Sequence, residues 1–172
     1  MRKGNAFNIS SILQRDATMH EILNFFFCCL LLHFLSSMGG TDETNFLNSI
    51  GKAKDGSGNG DILVWKRKAE KYLVESGLDY TIIHPGGLTD TPAALEQLVL
   101  DVDDKLIKNE KRSISRADVA NLCVAALEVG KDGQSVSFDC IATEVEQGTK
   151  IKSANEALEE FLAKEIAYDY SL

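Results

Sequence analysis

The chain has 172 residues, 44% of them apolar and 26% charged, which fits one ordinary globular domain and excludes a collagen-like, coiled-coil or wholly disordered protein. Its 18 basic and 26 acidic residues leave a net charge of −8. General charge attraction to nucleic acid phosphates or to anionic lipid is therefore excluded as the basis of its function.

Residues 22–35 read ILNFFFCCLLLHFL, a 14-residue apolar run. It is shorter than the roughly 20 residues of a membrane-spanning helix. Arg2, Lys3 and Arg15 precede it, so a signal or anchor segment fits. A buried strand of a parallel sheet fits equally, since such strands also read as continuous apolar runs. Residues 1–38 carry three basic and two acidic residues, whereas the remainder carries 15 and 24. This contrast marks 1–35 as an apolar leader and 36–172 as the body of the domain.

SSMGGTD (36–42) is a small-residue turn. A polar loop follows over 43–60, with a short helix at 44–50 and the glycine-rich stretch GSGNG at its end. Over 61–77, Ile62, Trp65, Ala69, Tyr72 and Leu73 fall at helical spacing, with Asp61 at the cap and Gly77 at the stop. That pattern turns Trp65 and Tyr72 toward the core. LDYTIIHP (78–85) is β-branched and aromatic and predicts a strand. Residues 95–107 predict two short strands around Asp103 and Asp104.

Ser115 caps a helix over 116–130, in which Arg116 and Asp118 are structural and Asp118 suits the N-terminal dipole. SVSFDCIA (135–142) predicts a strand, and 153–166 a final amphipathic helix. Helices alternating with strands predict an α/β fold with parallel strands. The four cysteines (Cys28, Cys29, Cys123, Cys140) form no C-x-x-C pair and no zinc spacing with histidine, so no metal site and no disulfide framework are expected. Buried thiols in a reducing compartment are the expectation.

The stretch ILVWKRKAEKYLVESGLDYTIIHPGGL (62–88) resembles the C-terminal half of the atypical short-chain dehydrogenase/reductases. These are NAD(P)-binding Rossmann proteins, also called NmrA-like. More narrowly, the stretch looks like the small plant members related to sanguinarine reductase. SSMGGTD (36–42) matches that group's turn after the fifth strand, GNGDILVWKRKAE (58–70) its active-site helix, and SISRADVANLCVAAL (113–127) a later helix. The resemblance covers about 36–172. It implies part of a doubly wound parallel sheet, with NADPH as cofactor and a small aromatic or alkaloid-like molecule as substrate.

Members of this family begin with a strand and a G-x-x-G-x-x-G turn that holds the cofactor pyrophosphate at a helix N-terminus. This sequence shows no such turn, and GSGNG (56–60) follows a polar stretch instead of a strand. A truncated product is the expectation, with a sheet edge left open to self-association.

By the resemblance, Lys66 is the lysine of the family's Tyr-x-x-x-Lys pair and binds the cofactor ribose. Ile62 stands where the tyrosine would and cannot donate a proton. Ser37, or its neighbour Ser36, is the substrate-binding serine, and Asp42 is an acid-base candidate. His84, Pro85, Gly86, Gly87 and Leu88 form the loop that passes the nicotinamide. Loss of the tyrosine disfavours ketone reduction but permits hydride transfer to an iminium carbon, which needs no proton on oxygen. The alternative reading is a non-catalytic interaction or regulatory fragment. The expected location is the cytoplasm, with the chloroplast as the alternative. On periodicity alone, Lys66 reads as a surface lysine paired with Glu70, and Asp42 as a solvated loop residue.

Overall fold

The computed structural model describes residues 32–129 and 135–171. The signal or anchor reading of 1–31, the paired Cys28 and Cys29, and the helix stop at Gly130 lie outside the described residues. The last four residues of the apolar run form strand β1 (Leu32–Leu35), which leads straight into the 36–42 turn. Then come helix α1 (Ile62–Glu75), strands β2 (Tyr80–Pro85), β3 (Gly87–Thr89), β4 (Gln97–Asp101) and β5 (Ser113–Ser115), helix α2 (Arg116–Val129), strand β6 (Val136–Thr143) and helix α3 (Ala154–Leu162).

Four strands build one sheet in the order β1-β2-β6-β4, and β3 pairs with β5 alongside it. β1, β2 and β6 are parallel, whereas β4 runs antiparallel to β6. β2 and β6 are buried along almost their whole length, the mark of strands covered on both faces. On one face Ile83, Phe138 and Leu98 pack against Leu122 and Ala125 of α2 and Leu158 and Phe161 of α3. Side chains alternate along a strand, so His84, Ser137, Asp139 and Ile141 point to the other face. That face is covered by α1, by Met38 and Leu106, and by the segment carrying Tyr168 and Tyr170.

Three expectations are corrected. The 95–107 region holds one strand, β4, followed by a short 3-10 helix (Lys105–Lys108), because Asp103 and Asp104 are both left-handed (φ 59° and 58°) and turn the chain away from a second strand. The short helix expected at 44–50 is present, as a single 3-10 turn (Phe46–Ser49). Asp61 occupies the N-cap position of α1 but is left-handed and makes no capping bond. Its carboxylate pairs with Lys52, and Asn48 Oδ1 accepts the free N–H groups of Leu63 and Val64 instead, at 2.9 and 3.4 Å. Finally, α1 does not bury the side expected. Trp65 is 64% and Tyr72 79% exposed, whereas Leu63, Arg67, Glu70 and Leu73 face inward.

The reason for that rotation is polar. Arg67 finds the Asp169 carbonyl at 2.7 Å and the Tyr170 ring at 4.4 Å, and Glu70 finds Ser36 and His84. Charged side chains with partners waiting can be buried; apolar ones such as Trp65 can stay out, here under the Lys68 ammonium at 4.5 Å. Ser115 caps α2 as expected, its hydroxyl accepting the Asp118 N–H at 2.9 Å. Arg116 pairs with Asp90, and Asp118 accepts the Ala94 N–H, which fits their structural assignment. α3 opens with a capping box between Ser153 and Glu156.

Candidate functional site

The site is built at the carboxyl ends of β1 and β2, where open α/β sheets bind ligands. Ser36 follows β1 directly, its N–H bonded to the Ile83 carbonyl, and Met38 N–H bonds the Pro85 carbonyl. The 36–42 turn is therefore an extension of the strand pairing. Helical spacing then places Lys66 and Glu70 one above the other on α1. Instead of serving a solvated surface pair, both reach Ser36. Lys66 Nζ donates to the Ser36 carbonyl at 3.0 Å, and the Ser36 hydroxyl donates to Glu70 Oε1.

Lys66 is half-buried, and desolvation holds its ammonium below the usual lysine range, with Glu70 pulling the other way. Burial alone would raise the Glu70 carboxyl, but the His84 ring, Ser36 and Arg67 together hold it below the usual carboxylate range. Of the two candidate serines, Ser36 is thus engaged by the protein, while Ser37 makes only a 3.3 Å bond to the Met38 carbonyl. Ile62, one turn before Lys66, is exposed.

Asp42 is not brought to Lys66. Its carboxylate is exposed and accepts the Thr44 N–H and hydroxyl at 2.8 and 2.6 Å. Those bonds, the hydroxyl first, hold it below its ordinary range. His84 lies fully buried beneath α1, not on an open surface. Its Nε2 is 3.2 Å from Glu70 Oε2, its Nδ1 faces the Phe138 carbonyl at 3.2 Å, and its ring stacks on Tyr168. Pro85 closes β2. A Cβ at Gly86 would run into the Arg112 carbonyl oxygen, so packing alone requires glycine there. At Gly87 a Cβ would meet only ordinary van der Waals neighbours, the nearest at 3.7 Å, and Leu88 is exposed on β3.

Three neighbours of the site do not read as site residues from the sequence. On its four-residue spacing Glu70 reads as the partner of Lys66, but in a surface ion pair. Asp104 and Asp139 had no local signal. Asp104 accepts from the Gly39 and Thr41 N–H groups at 2.6 and 2.9 Å, and its own N–H donates to Asp139 at 2.7 Å. Burial, and then the neighbouring Asp104, push the Asp139 carboxyl up to about 8.

The residues present fit the nicotinamide-ribose end of a nicotinamide cofactor. A half-buried ammonium on α1 stands beside a serine-bearing turn and a glycine-bearing strand end. None of the described residues supplies the pyrophosphate end. The GSGNG stretch lies in the loop before α1, and Asn48 already occupies the N–H groups that α1 could have offered. Among the described residues no group of histidine, cysteine and carboxylates could hold a metal ion, and no helix is long and apolar enough to cross a membrane.

Comparison with known proteins agrees with this geometry. The family model described as NAD(P)H-binding matches residues 32–129, beginning at the first residue of β1. Sanguinarine reductase of Eschscholzia californica is 42% identical over 129 residues, covering 75% of this chain and 42% of that protein. An Arabidopsis thaliana protein named as chloroplastic and uncharacterised is 50% identical over 95 residues, covering 55% of this chain and 27% of its own length. The chain thus spans less than half of either relative. Among solved structures, a putative NAD-dependent epimerase/dehydratase from Bacillus halodurans superposes with a TM-score of 0.53 at 23% identity, over 74% of this chain and 50% of that one. The shared fold is a Rossmann-like α/β sheet.

Proposed function

We propose, since the chain belongs to the NAD(P)H-binding family, that its 36–42 turn, Lys66 and the 84–88 segment, which joins β2 to β3 through Gly86 and is not the loop expected, form the nicotinamide side of a reductase site. NADPH is the cofactor and a small aromatic or alkaloid-like molecule the substrate. The observation that carries this reading is the meeting of Lys66 with the Ser36 carbonyl at the end of β1. When bound, the reduced nicotinamide supplies a hydride. Lys66, with donors left beyond its bond to Ser36, holds the ribose hydroxyls. Ser37 orients the substrate, its hydroxyl being less engaged than that of Ser36. Ile62 offers no proton from the face of Lys66, so an iminium carbon suits this site better than a ketone. Resemblance to sanguinarine reductase supports the aromatic substrate class, and the chloroplastic relative supports a plastid location over a cytoplasmic one.

A thermal-shift titration with NADPH and NADH tests the reading. A ligand that binds only the native state raises the midpoint progressively with its concentration, corresponding to about 2.7 kcal/mol of stabilisation at a hundredfold excess over Kd. A midpoint unmoved by millimolar amounts of either cofactor sinks it.

A second reading, a non-catalytic module that associates with itself, is favoured by the half-exposed Leu32 and Leu35 of β1 and the exposed Ile62 and Trp65 of α1. A monomer at all concentrations in light scattering would remove it.

A further inference from the structure

We infer that Asp104 is a positioning residue for the site, a carboxylate that holds the serine-bearing 36–42 turn in place. This rests on the reading of that turn as the substrate side of a reductase site.

The turn cannot fix itself. It contains two adjacent glycines, Gly39 and Gly40, and Gly39 is left-handed at φ +98°. Glycine gives the tight path but adds conformational freedom. Nor can a side chain be added at Gly39 as a prop, since a Cβ there would lie 2.6 Å from the Asn45 amide. The restraint comes from 63 to 65 residues away. Asp104 Oδ1 accepts the Gly39 N–H at 2.6 Å, while Oδ2 accepts the Thr41 N–H at 2.9 Å and the Thr41 hydroxyl at 2.6 Å. Three donors of one turn converge on one buried carboxylate. Bonds to an ionised acceptor are the strong ones.

Asp104 is itself held. Its backbone is left-handed (φ 58°), and its N–H donates to the buried Asp139 at 2.7 Å. β1 and β4 are the outermost strands of the order β1-β2-β6-β4, yet the segments that follow them meet through this carboxylate. At its other end the turn is pinned by Glu70 and Lys66 on Ser36. Ser37 lies between the two anchors. Its position relative to Lys66 is thus set by Asp104 from one side and by α1 from the other.

The test uses the whole chain with Asp104→Asn, Thr41→Val and the control Asp103→Asn. Asp103 has the same charge in the same loop, but its carboxylate serves Asp169 and Lys105 instead of the turn. Amide exchange is followed by NMR, and NADPH affinity is measured by titration. For Asp104→Asn the expected result is exchange at Gly39 and Thr41 faster by about tenfold, with β6 amides as protected as before and NADPH bound about tenfold more weakly. Thr41→Val moves both readouts in the same direction by less, and Asp103→Asn moves neither. Should Asp104→Asn fail to fold, Thr41→Val against Asp103→Asn carries the test. Unchanged exchange at Gly39 and Thr41, or faster exchange spread over β6 as well, overturns the inference. So does a freed turn with unchanged NADPH affinity. A wild-type chain that binds no cofactor overturns the proposed function, and the exchange arm then still decides whether Asp104 holds the turn.

Discussion

Ser36 gives its hydroxyl to Glu70 and its carbonyl to Lys66, so a single residue after β1 receives both polar side chains of one face of α1. Glu70 also faces the His84 ring and Arg67. Removing one member of a buried charged set strands the others, at a cost of about 3–5 kcal/mol. Glu70→Ala is therefore expected to lower unfolding free energy by about that amount, and Glu70→Gln, which keeps an acceptor for Ser36, by less. Urea titration of the two variants checks the order.

Lys66→Ala separates binding from folding. One half-buried bond to the Ser36 carbonyl is lost, so stability should fall by no more than about 1.5 kcal/mol. If the ammonium holds the ribose, NADPH affinity should fall roughly 10- to 100-fold. Loss of stability with unaltered affinity would assign Lys66 to structure alone.

Asp139 makes the fold sensitive to alkali. Its carboxyl is pushed from an ordinary 3.8 up to about 8, by burial first and by Asp104 second. Between those two values the native state binds more protons than the unfolded chain, so this group's contribution falls as pH rises and levels off above about 8. Asp139→Asn keeps an oxygen for the Asp104 N–H and cannot ionise. The stability of this variant relative to wild type should increase from pH 6 to pH 9. A constant difference across that range would refute the assignment.

Gly86 and Gly87 are adjacent but should respond differently to alanine. At Gly86 the added methyl collides with the Arg112 carbonyl oxygen, and the resulting backbone shift should cost about 1–3 kcal/mol. At Gly87 it meets ordinary contacts, so Gly87→Ala should fold normally and report only on the space beside the site. Melting curves of the pair suffice.

Ser153→Ala removes one half of the capping box of α3 and should cost about 1 kcal/mol. Thermal unfolding read at 222 nm gives the shift.

The strands and helices were largely legible because each has its own local cause. β2 and β6 are apolar or β-branched runs, α1 carries helical periodicity between a cap position and a stop, and α3 an amphipathic pattern. The direction of α1 was not legible. Its pattern of apolar residues selects Trp65 and Tyr72, whereas the fold selects Arg67 and Glu70, whose partners at Asp169, Ser36 and His84 are far along the chain. The same distance hid Asn48 as the cap of α1 and Asp104 as the anchor of the turn. Lys66 and the serine turn were found only through resemblance, since on periodicity alone Lys66 is one basic residue among three in a row.

The stacking of Tyr168 on His84, and the reach of Arg67 to a carbonyl 102 positions downstream, bear on synthesis. A chain leaving the ribosome presents α1, β2 and β6 well before residues 168–170 exist. Until then Arg67 lacks its carbonyl partner and the His84 ring its stacking partner, although Glu70 can already reach Ser36 and His84. Closure of that layer waits for residues 168–170, so a chain shortened to end before Ala163 should keep one face of its sheet packed by α2 and α3 and leave the other, around Arg67 and His84, open to water.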